Sequence, residues 1–269
     1  MESLKINEAQ FNWRNRTIYY RKDSVDIKVI EHSFDNDIFY SSINEFLPTG
    51  KMNIIDIGAH IGTFSILSAS KYPDAKIYAF DPFPETYSLL ERNIISNKIQ
   101  QVHTYSYALS NKNESRKLFL SDENWEHSTI NSDSNKSIVV EGKRLDTFIE
   151  EEKIRLVDLI KFNCEGAEFE ILKSISNETF KKIKMMVILF HEDMAQDFLR
   201  TDIYNIINTN NFIYREINSS KNRGWIIAKN PIFYSKTNNL FLKIEYQLSI
   251  VNSKILLYLK KIVKWIIKK

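Results

Sequence analysis

Cysteine is almost absent from this chain of 269 residues, because Cys164 is the only one. A single thiol can form neither an intrachain disulfide nor a thiolate cluster around a metal, so the composition excludes a disulfide-stabilised fold and indicates a cytoplasmic protein. Long apolar runs are missing as well, and so is the basic start with an apolar run that marks a secretory signal. We therefore expect neither a signal peptide nor a membrane-spanning helix.

A continuous basic surface is also missing from most of the chain. The formal net charge is +3, but the segment after Glu245 carries six lysines and no acidic residue, so the rest of the chain is net acidic. Proteins that track nucleic acids need basic groups that displace counterions from phosphates. We therefore expect no nucleic-acid partner.

The lysine-rich C-terminal segment has apolar residues at helical spacing, which predicts a basic amphipathic helix over residues 236–269. Such a helix can lie in a membrane interface, with residues 250–269 against anionic head groups at the inner face of the membrane. Alternatively, its apolar stripe packs on the body of the protein or on a second subunit in a homodimer. The sequence leaves both arrangements open.

From residue 52 onward, short β-branched runs alternate with segments of helical period, which is typical of an α/β fold with a parallel sheet. Core strands are predicted over residues 54–57, 76–81, 102–108, 157–163 and 186–191, with helices near 62–71, 84–97, 166–175 and 193–209. The runs NNFIYREI and GWIIAK, joined by a short polar loop, predict an antiparallel hairpin that closes the sheet. The sheet is thus expected to have seven strands, most of them parallel.

Two further segments surround this core domain of residues 46–235. Residues 1–45 contain TIYYRK and DIKVIEHSF and are predicted to form a small N-terminal β appendage. Residues 109–150 are polar and turn-rich, flanked by KLFL and SIVV, and predict a hairpin-like insertion. Insertions of this kind often cover a binding site.

Glycine is scarce, with six in the chain, and two of them follow a predicted strand in the segment NIIDIGAHIGTFS. Gly58 and Gly62 allow a tight turn and a close approach of the backbone to a ligand at the start of a helix. His60 occupies the position where a dinucleotide fingerprint has a third glycine, which disfavours a dehydrogenase. Asp56 is placed to hold the cationic methionine part of S-adenosylmethionine.

The next strand ends in FDPFPE, which places Asp81 where an acidic side chain accepts hydrogen bonds from both hydroxyls of a ribose. Phe83 is then placed to lie against an adenine. The alternative is architectural, with the glycines forming a strand-to-helix turn and Asp81 capping the following helix. The coincidence of these elements favours a nucleotide site.

Polar residues also follow two later strands. LVDLIKFNCEGAEFEIL places Asn163 and Glu165 at a strand end, with Glu168 one helical turn further on, and MMVILFHED places His191 at the next strand end. Because ligands bind at the carboxyl ends of strands in open α/β sheets, these residues are expected to face the same crevice. Cys164 lies within this apolar run and is expected to be a buried structural residue.

The segments DIGAHIG, FDP and KFNCEGAEFEIL, together with RLDTF, resemble the FkbM-type methyltransferase family. The resemblance implies a Rossmann-like class I methyltransferase fold and S-adenosylmethionine-dependent O-methylation of a sugar or glycan acceptor. It also implies an active-site motif that includes Glu165, Gly166 and Glu168. The family usually has Asp where this chain has Asn163, which puts a base or metal-ligand role at that position in doubt. The resemblance implies a cofactor set of Asp56, Gly58, His60, Gly62 and Asp81. We expect the cofactor site to include also Ala59, Thr63, Phe64, Pro82, Phe83 and Ala108.

Methyl transfer to a hydroxyl requires alignment of the acceptor and removal of its proton. We expect His191 or Glu165 to be the base, with Asn163 and Glu168 in the same catalytic group; alternatively, His191 only satisfies a backbone carbonyl. A divalent cation held by Glu165, His191 and Glu192 is conceivable, but no metal site is predicted. Other open functions are a non-catalytic nucleotide-binding module and a methyltransferase for a protein or small metabolite.

Overall fold

The structure, a computed structural model, describes residues 7–35, 39–40, 43, 47, 50–120, 127–130, 136–195, 197–217, 220–235 and 240. The helix predicted over 236–269, with its membrane or dimer contact, lies outside these residues except for position 240. Among the described helices none is both long enough and apolar enough to cross a membrane.

The elements follow one another in an alternating α/β order. The strands are β1 (Glu8–Trp13), β2 (Arg16–Arg21), β3 (Asn53–Ile57), β4 (Lys76–Phe80), β5 (Val102–Tyr105), β6 (Ala108–Ser110), β7 (Arg116–Phe119), β8 (Ser137–Val140), β9 (Gly142–Arg144), β10 (Leu159–Phe162), β11 (Met185–His191), β12 (Ile213–Ile217) and β13 (Arg223–Lys229). The helices are α1 (Asp26–Phe34), α2 (Thr63–Lys71), α3 (Pro84–Ser96), α4 (Leu145–Glu151), α5 (Ala167–Ser174), α6 (Asn177–Lys181) and α7 (Arg200–Thr209).

A seven-stranded sheet forms the centre of the domain, in the order β12-β13-β11-β10-β3-β4-β5. Strands β11, β10, β3, β4 and β5 run parallel to one another, whereas β13 is antiparallel to both β11 and β12. The order reverses at β3 and β10, and this is the edge where open α/β sheets bind ligands. The predicted α/β fold, the mostly parallel sheet and the terminal hairpin are confirmed.

Both faces of the sheet are covered by apolar packing, which explains why its central strands are mostly apolar. One face packs against α4, α5 and α7 through side chains such as Phe148, Phe169 and Ile203. The other packs against α1, α2 and α3 through Ile30, Phe64 and others. The two cores leave the carboxyl edge of the parallel strands free for a site.

The N-terminal unit is a hairpin followed by a helix, so the prediction that DIKVIEHSF belongs to a β appendage is wrong. Strands β1 and β2 pair antiparallel, but residues 26–34 form α1. The buried positions of α1 are Asp26, Ile30 and Ser33, and this spacing of four and three is helical. The β-branched residues of DIKVIEHSF favour a strand locally, but in short segments the burial pattern outweighs such propensity.

The insertion forms an antiparallel hairpin, β7 with β8, as predicted. Its base is a short parallel pairing of β6 with β9, so the strand expected over 102–108 is divided after Tyr105. The helix expected over 193–209 begins only at Arg200, because the carboxylate of Asp202 accepts the backbone N–H of Leu199 at 2.8 Å and caps the helix there.

Candidate active site

An open cleft lies at the carboxyl ends of β3, β4 and β10, and its empty space, including the part open to solvent, is about 940 Å³. Nine residues of the cofactor set expected from the sequence line it, whereas Asp56 and Gly62 do not. Of the expected catalytic residues, Asn163 and Glu165 line the cleft, and Glu168 and His191 lie behind them. The nine lining residues are Gly58, Ala59, His60, Thr63, Phe64, Asp81, Pro82, Phe83 and Ala108.

The glycine turn after β3 is required by the packing of neighbouring strands as well as by a ligand. Gly58 has φ +72°, and a Cβ atom there would lie 1.8 Å from the carbonyl oxygen of Asn163. The backbone N–H groups of Gly58 and Ala59 donate to the carbonyl of Phe80, at 3.1 and 2.8 Å. The turn is thus held between the ends of β10 and β4, and any side chain at position 58 would force them apart.

Asp81 is the acidic group at the end of β4. Its two carboxylate oxygens accept the backbone N–H groups of His60 and Phe83 at 3.0 and 3.1 Å, which leaves further lone pairs for a ligand. Burial raises the pKa of Asp81 to about 6, and the nearby His60 opposes this rise only in part. The carboxylate is therefore ionised at neutral pH and able to accept hydrogen bonds from ribose hydroxyls.

Asp56 was expected to contact the cofactor, but it does not line the cleft. Its carboxylate is fully buried, accepts Ser65 Oγ at 2.7 Å and pairs with Lys161 Nζ at 2.9 Å. Lys161 Nζ also donates to the carbonyl of Gly58 at 2.6 Å, and this lysine does line the cleft. Asp56 therefore holds Lys161 beneath the glycine turn, and direct contact with the methionine part of a cofactor is not its role in this geometry.

Glu165 presents a carboxylate to the cleft from the turn between β10 and α5. Its backbone has φ +52°, a left-handed conformation that costs a non-glycine residue roughly 1–2 kcal/mol. The hydroxyl of Ser128, in the insertion, donates to the carbonyl of Glu165 at 2.7 Å and holds this conformation. Strain of this kind, maintained by neighbouring contacts, is typical of functional positions.

His191 lies behind Glu165, between two carboxylates. Its Nε2 is 3.4 Å from Glu165 Oε2 and its Nδ1 is 3.1 Å from Glu168 Oε1. Burial disfavours the charged ring, but the carboxylates of Glu165 and Glu168 more than offset it and raise the pKa of His191. Because both ring nitrogens face carboxylates and His191 does not line the cleft, the geometry favours Glu165 over His191 as the base.

Glu168 connects His191 to the turn between β10 and α5. It accepts the backbone N–H of His191 at 2.7 Å and that of Gly166 at 3.1 Å, and it is fully buried. The thiol of Cys164 lies 3.5 Å from the same carboxylate, and burial together with Glu168 raises its pKa well above the ordinary value. A protonated thiol is a poor nucleophile, which agrees with the structural role expected for Cys164, although this residue borders the cleft.

The sequence did not single out several groups that border the cleft. Lys161 comes from the interior of β10, and His127 and Thr129 come from the insertion. The ring of His127 lies edge-on to Phe83, with centroids 4.1 Å apart, and burial lowers its pKa to about 4, so it is neutral. For His127 and Thr129, the only signal in the sequence is the general expectation that an insertion covers a site.

The cleft has the groups that S-adenosylmethionine needs. Asp81 offers a carboxylate for ribose hydroxyls, and Phe83 and Phe64 offer aromatic surface. Two buried polar atoms at the cleft, His60 Nδ1 and Asn163 Oδ1, have no hydrogen-bond partner within the described part of the chain. Unsatisfied buried polar atoms at a cleft indicate a missing ligand or water. The site therefore fits the cofactor that the family resemblance implies.

No cluster of three or more His, Cys, Asp or Glu side chains arranged for a metal ion is found among the described residues. The conceivable set of Glu165, His191 and Glu192 is divided in the structure. Glu192 pairs with Arg200 Nε at 3.0 Å, and both ring nitrogens of His191 face carboxylates.

Comparison with known proteins agrees with this site. The model of the methyltransferase FkbM domain matches residues 56–246. Methyltransferase sdnD of Sordaria araneosa is 28% identical over 206 residues, covering 65% of this chain and 78% of the relative. The hexuronic acid methyltransferase AglP of Haloferax volcanii is 23% identical over 193 residues and covers 69% of each chain.

Among solved structures, the magnesium protoporphyrin IX methyltransferase ChlM of Synechocystis with bound S-adenosylmethionine aligns with a TM-score of 0.46 and 14% identity, over 77% of this chain and 82% of that one. The family match covers most of the chain and includes both the glycine turn and the Glu165 motif. The chain therefore belongs to the FkbM methyltransferase family and is an S-adenosylmethionine-dependent methyltransferase.

Proposed function

We propose that this methyltransferase is an O-methyltransferase whose acceptor is a hydroxyl group of a sugar or glycan. The observation that carries the proposal is the carboxylate of Glu165 at the cleft, held by a strained backbone with the His191 ring 3.4 Å behind it. A hydroxyl acceptor needs a base, because its proton must leave as the new bond forms. The relative AglP, described as a hexuronic acid methyltransferase, supports a carbohydrate acceptor.

The residues of the cleft divide into a cofactor side and an acceptor side. Asp81, His60 and Phe83 would hold the nucleoside on one side. When bound, S-adenosylmethionine supplies an activated methyl group, so that the acceptor oxygen bonds to the methyl carbon while the carbon–sulfur bond breaks and S-adenosylhomocysteine leaves. Glu165 takes the hydroxyl proton on its carboxylate, and His191 stabilises the site by countering the charges of Glu165 and Glu168.

The polar atoms on the acceptor side suit a hydroxyl-rich ligand. Asn163 Oδ1 can accept a hydrogen bond from a hydroxyl group, and neutral His127 and Thr129 border the same space. Among the charged side chains that line the described cleft, Lys161 is already engaged by Asp56 and by the carbonyl of Gly58. These groups favour methyl transfer to a hydroxyl group over transfer to a carboxylate.

The test is transfer of a labelled methyl group from S-adenosylmethionine to a panel of neutral oligosaccharides, hexuronic acid-containing glycans, lipid-linked glycans, small phenols and protein substrates. We expect alkali-stable label, a methyl ether, in a carbohydrate. Glu165→Gln should lower turnover roughly 100- to 10,000-fold, as expected when a general base is removed. Glu178→Gln, the same change at an exposed carboxylate on α6, should have no effect.

Three results would overturn the proposal. Label found only in proteins or phenols would show that the acceptor is not a carbohydrate. Alkali-labile label would indicate a carboxyl group as the acceptor. Normal turnover by folded Glu165→Gln would remove Glu165 as the base.

A further inference from the structure

The N-terminal unit of residues 8–34 lies outside the family match, which begins at residue 56, yet it contacts the cofactor side of the cleft. The side chain of Asn93 on α3 accepts the backbone N–H of Tyr19 at 2.7 Å and donates to the carbonyl of Tyr19 at 3.0 Å. The same side chain donates to the carbonyl of Ile61 in the glycine turn at 2.9 Å. One fully buried amide thus joins β2 to the turn.

A buried charged pair extends this connection into the cleft. Arg21 donates to Asp26 three times, from its backbone N–H at 2.9 Å, from Nε at 3.0 Å and from a terminal nitrogen at 2.9 Å. The other terminal nitrogen donates to Thr86 Oγ1 on α3 at 3.1 Å. Arg21 is 4% exposed and Asp26 is 0% exposed. Buried charges of this kind are retained only where several hydrogen bonds satisfy them.

The pair contacts His60, which lines the cleft. Asp26 Oδ1 and a terminal nitrogen of Arg21 each lie 3.2 Å from His60 Nε2. In the tautomer with a proton on Nε2, the ring donates to the Asp26 carboxylate, which only accepts. Burial alone would raise the pKa of Asp26, but hydrogen bonds from His60 and Arg21 hold it well below its ordinary range. The ring is thereby fixed with Nδ1 on the opposite side, buried and without a hydrogen-bond partner in the described chain.

The backbone of His60 connects the same residue to the ribose carboxylate. His60 has φ +53°, and its N–H donates to Asp81 Oδ2 at 3.0 Å. A single turn residue therefore joins the N-terminal unit on one side and Asp81 on the other. Any shift of Asp26 would be transmitted to both the ring and the backbone of His60.

We propose that residues 8–34 are an integral part of the cofactor site, in which Asp26, oriented by Arg21, is a positioning residue that fixes the His60 ring so that Nδ1 faces a hydrogen-bonding group of bound S-adenosylmethionine. With the Nε2 proton directed to Asp26, Nδ1 is left to accept a hydrogen bond from a ribose hydroxyl or from the ammonium of the methionine part. The inference rests on the cofactor and is independent of the proposed acceptor.

Calorimetric titration with S-adenosylhomocysteine tests the proposal without an acceptor. Asp26→Asn should weaken binding about tenfold, as expected for one misplaced hydrogen bond in a buried site. His60→Asn tolerates the positive φ but is too short to reach Asp26. In that background, Asp26→Asn should have no additional effect, because both changes interrupt the same connection.

The matched control is Arg92→Ala, which removes the ion pair with Glu8 and the stacking over Tyr19 at the outer edge of the unit. It removes only this outer contact and leaves the contacts of Arg21, Asp26 and His60 in place, so affinity should be unchanged. Wild-type affinity in folded Asp26→Asn would overturn the proposal. Independent losses of affinity that multiply in the Asp26→Asn, His60→Asn double variant would also overturn it, because Asp26 would then not act through His60.

Hydrogen exchange of the wild-type chain keeps the proposal testable if Asp26→Asn does not fold. The reporter is the backbone N–H of Arg21, which donates to Asp26 Oδ2. S-adenosylhomocysteine should slow its exchange, because the bound ligand stabilises the His60 ring and therefore its partner. Exchange at this position that is unchanged by saturating ligand would contradict the connection.

Discussion

Lys161 Nζ lies 2.9 Å from Asp56 Oδ1, and the two side chains are almost completely buried beneath the glycine turn. The lysine links β10 to β3, since it also donates to the carbonyl of Gly58. The pair thus fixes the position of the turn that faces the cofactor. It also explains why an aspartate at the end of β3 serves the site without touching the ligand.

Lys161→Met should lower the free energy of unfolding by about 3–5 kcal/mol, because it leaves Asp56 buried without its cation. Urea denaturation measures this change. The double variant Lys161→Met with Asp56→Asn should recover part of the loss, since asparagine can still accept the hydroxyl of Ser65. Lys181→Met, which breaks an exposed ion pair on α6, should stay within about 0.5 kcal/mol of the wild type. An equal, small effect at both lysines would contradict the structural role of Lys161.

The affinity for S-adenosylhomocysteine should fall at acidic pH because Asp81 must be ionised to accept ribose hydroxyls. Burial raises the pKa of this carboxyl to about 6 in the free protein, and ligand hydrogen bonds favour its ionised form, so binding releases a proton below that pH. We expect constant affinity above pH 6 and a loss of up to about tenfold per pH unit below it. Calorimetry between mildly acidic and neutral pH checks this, and a flat profile would mean that Asp81 does not contact the ligand.

His191→Asn should destabilise the fold by leaving Glu165 and Glu168 close together without a cation between them. The pKa of His191 is raised in the folded state, so its stabilising contribution is fully present below its unfolded value of 6.5 and is lost as the pH rises through the folded value. The difference in unfolding free energy between wild type and variant should therefore shrink from neutral toward alkaline pH. A difference that grows with pH would show that His191 is neutral.

Ser128→Ala should lower kcat several-fold and leave the affinity for S-adenosylhomocysteine unchanged. The reason is that the Ser128 hydroxyl holds the carbonyl of Glu165 in its left-handed conformation, on the acceptor side of the cleft. Ser137→Ala, an exposed serine of the same insertion, is the matched control. Equal loss of cofactor affinity and kcat in Ser128→Ala would indicate a general structural defect.

Much of the fold followed from the sequence because the relevant signals are local. The apolar run before Gly58, the proline at the start of α3 and the polar loop before β13 each mark an element by themselves. Helix α1 was not predicted because two of its three buried positions, Asp26 and Ser33, are polar, so its sequence shows no apolar stripe at helical spacing. A buried aspartate is not expected from a hydrophobic pattern.

The sequence predicted which residues lie at the candidate site better than it predicted their contacts. Asp81 and Glu165 lie at the cleft as expected, since strand ends can be located from sequence. The partners of Asp56 and His60 could not be found in this way, because Lys161 and Asp26 are distant in the chain and meet them only through the topology of the sheet. The roles of Gly58 in strand packing and of Ser128 in holding Glu165 depend on the same long-range geometry.

The most direct test of the account is calorimetric titration of the wild-type chain and of Asp81→Ala with S-adenosylhomocysteine. The exposed Asp74→Ala serves as the matched control. The account predicts micromolar binding by the wild type and by Asp74→Ala, and loss of binding in Asp81→Ala while the variant remains folded. A folded wild-type chain that does not bind the ligand, or an Asp81→Ala variant that binds it unchanged, would contradict the assignment of the cleft as the cofactor site.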